Sequence, residues 1–277
     1  MTMSDAAGGD NAFAEVGGRH GRFRFGRHDA IIGASLAAYG EYSEIELRLL
    51  LQLFKPGATV VEAGANIGAH TVPIARRLGP SGRLIVYEPQ PVICDVLRDN
   101  LALNGIGNVE VRAVALGATE GDAWIAVPDY AVPGNFGAAG LVAAGNGHRV
   151  PRVRLDDEVG ARKVHLLKID VEGAECEVLD GAASLIARDR PLIYVENDRV
   201  ERSAALIRRL FDLDYRACWD MPPLYNPDNH FGNADNRFEG IVSVNMLCLP
   251  RERRVGELAC EVTDPDFHPM RAGGVTP

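Results

Sequence analysis

Glu62-Ala63-Gly64-Ala65-Asn66-Ile67-Gly68 puts a carboxylate ahead of a turn with two glycines, and a second carboxylate, Glu88, follows Gly68 by about 20 residues. Gly64 can take dihedrals closed to other residues, and Gly68 allows close backbone approach to a ligand. A carboxylate at Glu88 can accept both hydroxyls of a ribose, each charge-assisted bond contributing about 1.5–3 kcal/mol. Apart, the two features have ordinary explanations, a tight turn and a solvated acid after a strand. Together, at this spacing, they describe a nucleoside site.

The Gly-x-x-x-Gly spacing is neither the G-x-G-x-x-G of nicotinamide-binding folds nor a P-loop with its Gly-Lys-Ser/Thr. The turn EAGANIGAHT also carries no lysine or arginine to meet phosphates. A zwitterionic or cationic ligand suits it better, and S-adenosylmethionine has the matching parts: an adenosine, an amino acid and a sulfonium.

These side chains need a scaffold. Residues 58–62 (ATVVE), 83–87 (RLIVY), 109–116, 164–169 (VHLLKI) and 192–195 read as strands. Helices are expected over 67–78, 91–104, from Ala174, and over 199–211. Pro73 is tolerable only near a first turn, so the helix over 67–78 is expected to begin late. Ser43 and Glu46 resemble a capping box opening a helix through Leu53, and residues 215–219 and 241–249 read as two late strands. Strand–helix alternation of this kind implies an α/β, doubly wound, mostly parallel sheet that binds ligands at the carboxyl ends of its strands. The expected organisation is a flexible tail over residues 1–20, a hairpin and helix extension over 21–56, a main domain over 57–250, and a tail over 251–277. Residues 121–155, rich in glycine and proline, are expected as an irregular insertion or hairpin and as a candidate surface for homo-oligomer formation.

VVEAGANIGAHTVPIA, VYEP, AVALGATEGDAW, LLKIDVEGAECEVLDGA and VSVNMLCLPR together resemble the FkbM-type S-adenosylmethionine-dependent methyltransferases over residues 36–250. The resemblance implies the class I methyltransferase (Rossmann-like) sheet of seven strands, the last antiparallel. It implies O-methylation of a small-molecule or sugar hydroxyl. It would place Glu62, Gly64, Asn66 and Gly68 around the methionine end of the cofactor, Glu88 on the ribose, and Ala115 and Leu116 near adenine. Asp170 would face the reacting methyl, and Tyr42, in the segment Tyr39–Ser43, would close over the cofactor.

Methyl transfer from a sulfonium is an in-line displacement, so the protein must align the acceptor and remove its proton. A hydroxyl needs a positioned base or a metal ion for this. Asp170 and Glu172 are the acidic candidates, although Glu172 and Glu175 could equally stabilise a helix N-terminus by about 0.3–1 kcal/mol. Among histidines, His165 sits within an apolar strand and reads as structural, whereas His70 could face helix packing or the site. His230, in the amide-rich loop before the last strand, is the histidine expected to serve the acceptor. Asp170, Glu196 and Asn197 are, by analogy with catechol-type methyltransferases, a candidate oxygen-ligand set for Mg²⁺.

The formal net charge of -9, with only three lysines (Lys55, Lys163, Lys168), argues against a polyanionic partner such as nucleic acid. Five scattered cysteines without a Cys-x-x-Cys pair fit reduced thiols. With no long apolar run and no signal-peptide pattern at the start, the expected location is the cytoplasm, away from membranes. The readings that compete with a methyltransferase are a non-catalytic cofactor-binding or scaffold protein and a nicotinamide-dependent oxidoreductase.

Overall fold

The computed structural model describes residues 12–253 and 260–271. Strands β1 (Phe13–Gly18) and β2 (Gly21–Gly26) form an antiparallel hairpin, followed by helices α1 (Ile32–Tyr39) and α2 (Glu44–Leu50). Alternation then runs through β3 (Thr59–Ala63), α3 (Thr71–Leu78), β4 (Arg83–Tyr87), α4 (Pro91–Leu103) and β5 (Val109–Arg112). Four short strands interrupt it: β6 (Ala115–Leu116), β7 (Gly121–Ile125), β8 (Leu141–Val142) and β9 (His148–Val153). After α5 (Leu155–Val159) come β10 (Leu166–Ile169), α6 (Glu175–Gly181), α7 (Ala183–Asp189), β11 (Leu192–Glu196), α8 (Val200–Asp212), β12 (Tyr215–Asp220) and β13 (Asn245–Pro250).

Seven strands form one sheet in the order β12-β13-β11-β10-β3-β4-β5. β13 is antiparallel to both its neighbours, and the remaining pairings are parallel. The α/β, mostly parallel sheet is the one that strand–helix alternation predicts, and its seven strands with an antiparallel last strand are those that the family resemblance implies. The chain winds from β3 toward β5 on one side and from β10 toward β12 on the other, so a crevice opens at the carboxyl ends of β3 and β10.

Side-chain alternation assigns the two faces. Val60, Leu84, Val86, Leu166 and Tyr194 pack with the hairpin and α1 to α4, whereas Val61, Ile85, Leu167, Ile169, Ile193 and Val195 pack with α5 to α8. Burial on both faces explains why the central strands read as unbroken apolar runs.

Several boundaries depart from expectation. The tail expected over residues 1–20 gives way to β1, because Phe13 is buried with Phe25 while its strand pairs with β2; residues 1–11 lie outside the described part. Asn100 ties the hairpin to α4, its side-chain oxygen accepting from the Arg24 amide (2.6 Å) and its Nδ2 donating to the Arg24 carbonyl (2.9 Å). The expected strand over 109–116 divides, since Ala115 and Leu116 leave the main sheet for a second one, ordered β6-β9-β7-β8. The insertion is therefore a small sheet, not irregular chain. α3 begins at Thr71, which places Pro73 in the first turn where its missing N–H breaks no helical bond. Ser43 takes a left-handed conformation (φ 43°) and donates its hydroxyl to Glu46 Oε2 at 2.8 Å, in place of a backbone cap. Within the expected tail over 251–277, Val262 and His268 are buried; residues 254–259 and 272–277 lie outside the described part.

Candidate active site

A cavity of about 730 Å³ occupies the crevice, a volume within the range of about 300–1,000 Å³ that suits a small-molecule ligand. It is lined along the strand ends by Glu62 on β3 with Gly64 and Asn66 after it, Glu88 after β4, Ala115 and Leu116 at β6, Asp170 and Glu172 after β10, and Glu196 on β11. Tyr42 closes one side, its ring centroid 5.4 Å from that of His70.

The turn after β3 is held tightly. Gly64 donates its N–H to the Tyr87 carbonyl at 2.9 Å and has φ +85°, and a Cβ there would stand 1.7 Å from the Asp170 carbonyl oxygen. Only glycine fits. Gly68 also has a positive φ, +86°, but it does not line the cavity. A Cβ on it would meet Leu97 at 2.6 Å, so its freedom serves the packing of α4 and not, as expected, the approach of a ligand.

Glu88 is 4% exposed, and its two carboxylate oxygens accept from the backbone N–H groups of Asn66 (2.9 Å) and Gln90 (2.8 Å). Burial pushes its pKa up to about 7, the two N–H groups pull it back, and the charges of Asp170 and Glu62 add to the rise. Each oxygen keeps a lone pair for a ligand hydroxyl.

Beneath the turn, parallel register sets Lys168 directly beside Glu62. The buried Lys168 Nζ lies 3.7 Å from Glu62 Oε1 and 3.3 Å from Asp170 Oδ2, and Thr71 donates its hydroxyl to Glu62 Oε2 at 2.7 Å. Burial would lower the Lys168 pKa, but Asp170, Glu62 and Glu46 surround the ammonium and hold it above its ordinary value. Glu62 is raised by burial against the pull of Lys168. Sequence reading singled out no role for Lys168; the available signal was one lysine inside the apolar run VHLLKI.

Where β10 and β11 end, carboxylates crowd together. Asp170, Glu172 and Glu196 each offer an oxygen within 4.8 Å of the others. Burial, then the neighbouring Asp170 charge, raises both Glu172, to about 7, and Glu196. Arg199 pairs with Glu172, while the buried Oε2 of Glu196 has no hydrogen-bond partner. Glu172 belongs to this cluster, with φ 57°, whereas Glu175 turns back to accept from the Gly173 N–H at 2.8 Å.

Asn197 does not join the cluster. Its amide is buried and directed at Met246 Sδ, 3.5 Å away, so Glu172 takes the place given to Asn197 in the expected ligand set. His230 is likewise outside the cavity: its ring is exposed near Gly40, and its backbone N–H donates to Glu41 Oε2 at 2.9 Å. The histidine that lines the cavity is His70, which is 6% exposed, with Nδ1 3.9 Å from Glu46 Oε1 and Nε2 unpartnered. Burial, then the Lys168 charge, depresses its pKa and keeps the imidazole neutral. His165 is structural, its Nδ1 accepting from the Thr59 N–H at 3.1 Å. The insertion also reaches the cavity through Asn135, Gly137 and Leu141.

Two methyltransferases are similar to this chain in sequence. Methyltransferase 1 of Beauveria bassiana is 30% identical over 151 residues, which cover 46% of this chain and 59% of that protein. Methyltransferase sdnD of Sordaria araneosa is 31% identical over 162 residues, covering 44% and 59%. The chain thus spans somewhat under two thirds of either relative. Among solved structures, an FkbM methyltransferase from Methylobacillus flagellatus superimposes with a TM-score of 0.45 at 16% identity, over 70% of this chain and 44% of that one. Residues 62–217, from the acid before the glycine turn to the middle of β12, match the Methyltransferase FkbM domain, and the chain belongs to that family.

Proposed function

We propose that the chain is an S-adenosylmethionine-dependent methyltransferase that methylates a hydroxyl oxygen of a small organic or sugar-containing acceptor. The observation that carries this reading is one continuous cavity joining the ribose-type carboxylate Glu88 to the carboxylate cluster beyond β10 and β11. The residues fit the cofactor: Glu88 has a free lone pair on each oxygen for two ribose hydroxyls, Ala115 and Leu116 give an apolar slot for adenine, and the one lysine near the glycine turn, Lys168, is already paired with Glu62 and Asp170. Glu62, Gly64 and Asn66 would hold the amino-acid end, with Tyr42 closing over it. When bound, the cofactor supplies a methyl group on a positively charged sulfur.

The chain's own residues do the rest. The carboxylates orient the acceptor hydroxyl along the line of attack, which turns a bimolecular encounter into a positioned one. Asp170, at the end of β10 with a side chain 40% exposed, is the base we assign for the hydroxyl proton. Lys168 holds Asp170 from behind.

A second reading places a divalent cation such as Mg²⁺ at Asp170, Glu172 and Glu196, favoured by the unpartnered Glu196 Oε2. Such an ion would lower the pKa of the acceptor hydroxyl. Exhaustive chelation separates the two: full activity afterwards ends the metal reading. The function itself is tested by titrating the protein with S-adenosylmethionine and with NADH. Saturable binding of the first and none of the second is expected, and the opposite result would overturn the S-adenosylmethionine reading. No helix among the described residues is long and apolar enough to cross a membrane. The free cysteines fit the cytoplasm, where we place the reaction.

A further inference from the structure

One wall of the cavity comes from outside residues 62–217. Leu224, Ile241 and Val242 follow the matched region, and Met270 comes from the segment 260–271. That segment is fastened at both ends. Glu261 bridges Cys218 on the outer edge of β12, the Val262 N–H donates to the Ala217 carbonyl at 2.8 Å, and Arg216 grips the Glu261 carboxylate with two bonds of 2.7 and 2.6 Å. At the far end His268 is 1% exposed and stands edge-on to Trp219. Its Nδ1 accepts from the Met270 N–H at 3.1 Å, so Nε2 carries the proton and donates to the Asn197 carbonyl at 2.9 Å. Arg271 donates to the Val200 carbonyl at 3.1 Å. Asn197 and Val200 bracket Asp198 and Arg199, both cavity residues, so the segment straps Met270 over the carboxyl end of β11.

We propose that this strap selects the acceptor: Met270, Leu224, Ile241 and Val242 receive an apolar body while Asp170, Glu172, Glu196 and Asp198 face its hydroxylated head. The inference rests on the methyl-transfer reading and narrows it to an uncharged amphipathic acceptor, a polyol or sugar head on an aliphatic or aromatic body. Charge excludes an anionic head. Among the described residues, the cations lining this cavity are Arg199, committed to Glu172 and Asp198, and Lys168, committed to Glu62 and Asp170. Carboxylates accept vicinal hydroxyls well, and burying the attached chain against methionine and aliphatic side chains adds affinity roughly in proportion to its area.

The test is calorimetric binding of methyl, butyl and hexyl β-glucoside to the full chain saturated with S-adenosylhomocysteine. Each buried methylene tightens binding by a factor of about three to four, so affinity should rise at least about tenfold from methyl to hexyl. Met270→Ser should erase most of that gain and Met270→Leu should keep it, with S-adenosylhomocysteine affinity equal in all three proteins as evidence of an intact fold. A wild-type protein indifferent to chain length, or a Met270→Ser variant retaining the whole gain, overturns the role of the strap. Binding of none of the glucosides to the loaded protein overturns the acceptor class. Failure of S-adenosylhomocysteine itself to bind the wild type brings down the methyl-transfer reading instead.

Discussion

Glu88 and Asp170 follow different strands of one crevice and should fail in different ways when removed. In the proposed reading Glu88 offers the ribose two acceptors in a dry setting, each worth about 1.5–3 kcal/mol, so Glu88→Ala should weaken S-adenosylmethionine binding by at least about tenfold. The carboxylate accepts both hydroxyls only when ionised, and its pKa stands at about 7. Wild-type affinity should therefore fall as the pH drops below neutrality, and calorimetry across pH 6 to 8 reads both effects. Asp170, set among acids and partly open to solvent, is assigned to the proton of the acceptor. Asp170→Ala should lower turnover by about 10²–10⁴-fold while leaving cofactor affinity close to wild type. Equal activity in that variant would remove it from proton transfer.

The turn between β3 and α3 is the element on which both residues depend. Gly64→Ala must place a methyl group 1.7 Å from the Asp170 carbonyl at φ +85°, which forces β3 and β10 apart at the crevice. Gly79→Ala, at φ +70° after α3, meets nothing within 4 Å. The second variant, at φ +70° and ψ -177° where almost only glycine is found, should cost about 1–3 kcal/mol from backbone conformation alone, and the first more, because steric collision with backbone is added. Denaturant unfolding of the two variants makes the comparison, and similar losses would show that the β3–β10 contact yields easily. This turn was legible in sequence because glycine and the flanking apolar strand are local signals, as were Glu62, Glu88 and Asp170 at strand ends. Gly68 could not be assigned from sequence, since what its missing Cβ avoids is Leu97 on α4, a contact set only by packing. His230 and Asn197 failed for the same reason: their residue types suit a site, but the direction of a side chain in a loop follows from tertiary bonds to Glu41 and Met246. Met270 lies beyond any regular pattern, and nothing local announces that the strap crosses β11.

Over the whole molecule, folding gathers carboxyl groups into a dry crevice, and this couples stability to pH. Glu46, Glu88 and Glu172 are each pushed up to about 7, by burial before any other cause. Between their ordinary value near 4.5 and about 7 the folded chain holds protons that the unfolded chain has lost. Stability from these groups is full below the lower limit and is given up as pH rises to the upper one. His70, depressed by burial, acts in the opposite sense below pH 6.5, but as one group against three. Carboxylates lowered by surface partners, such as Glu44 and Asp189, lose their contribution only under more acidic conditions. The net charge of -9 adds self-repulsion of the same sign at higher pH. Scanning calorimetry of the ligand-free chain at constant ionic strength should find it less stable at pH 8 than at pH 5.5, by on the order of a few kcal/mol. Glu88→Gln should flatten part of that slope. A melting temperature that instead climbs steadily over the interval would mean that these acids ionise in the fold much as they do in water. Saturating S-adenosylmethionine should shrink the decline in the wild type, because the cofactor binds the ionised Glu88 that the empty crevice disfavours.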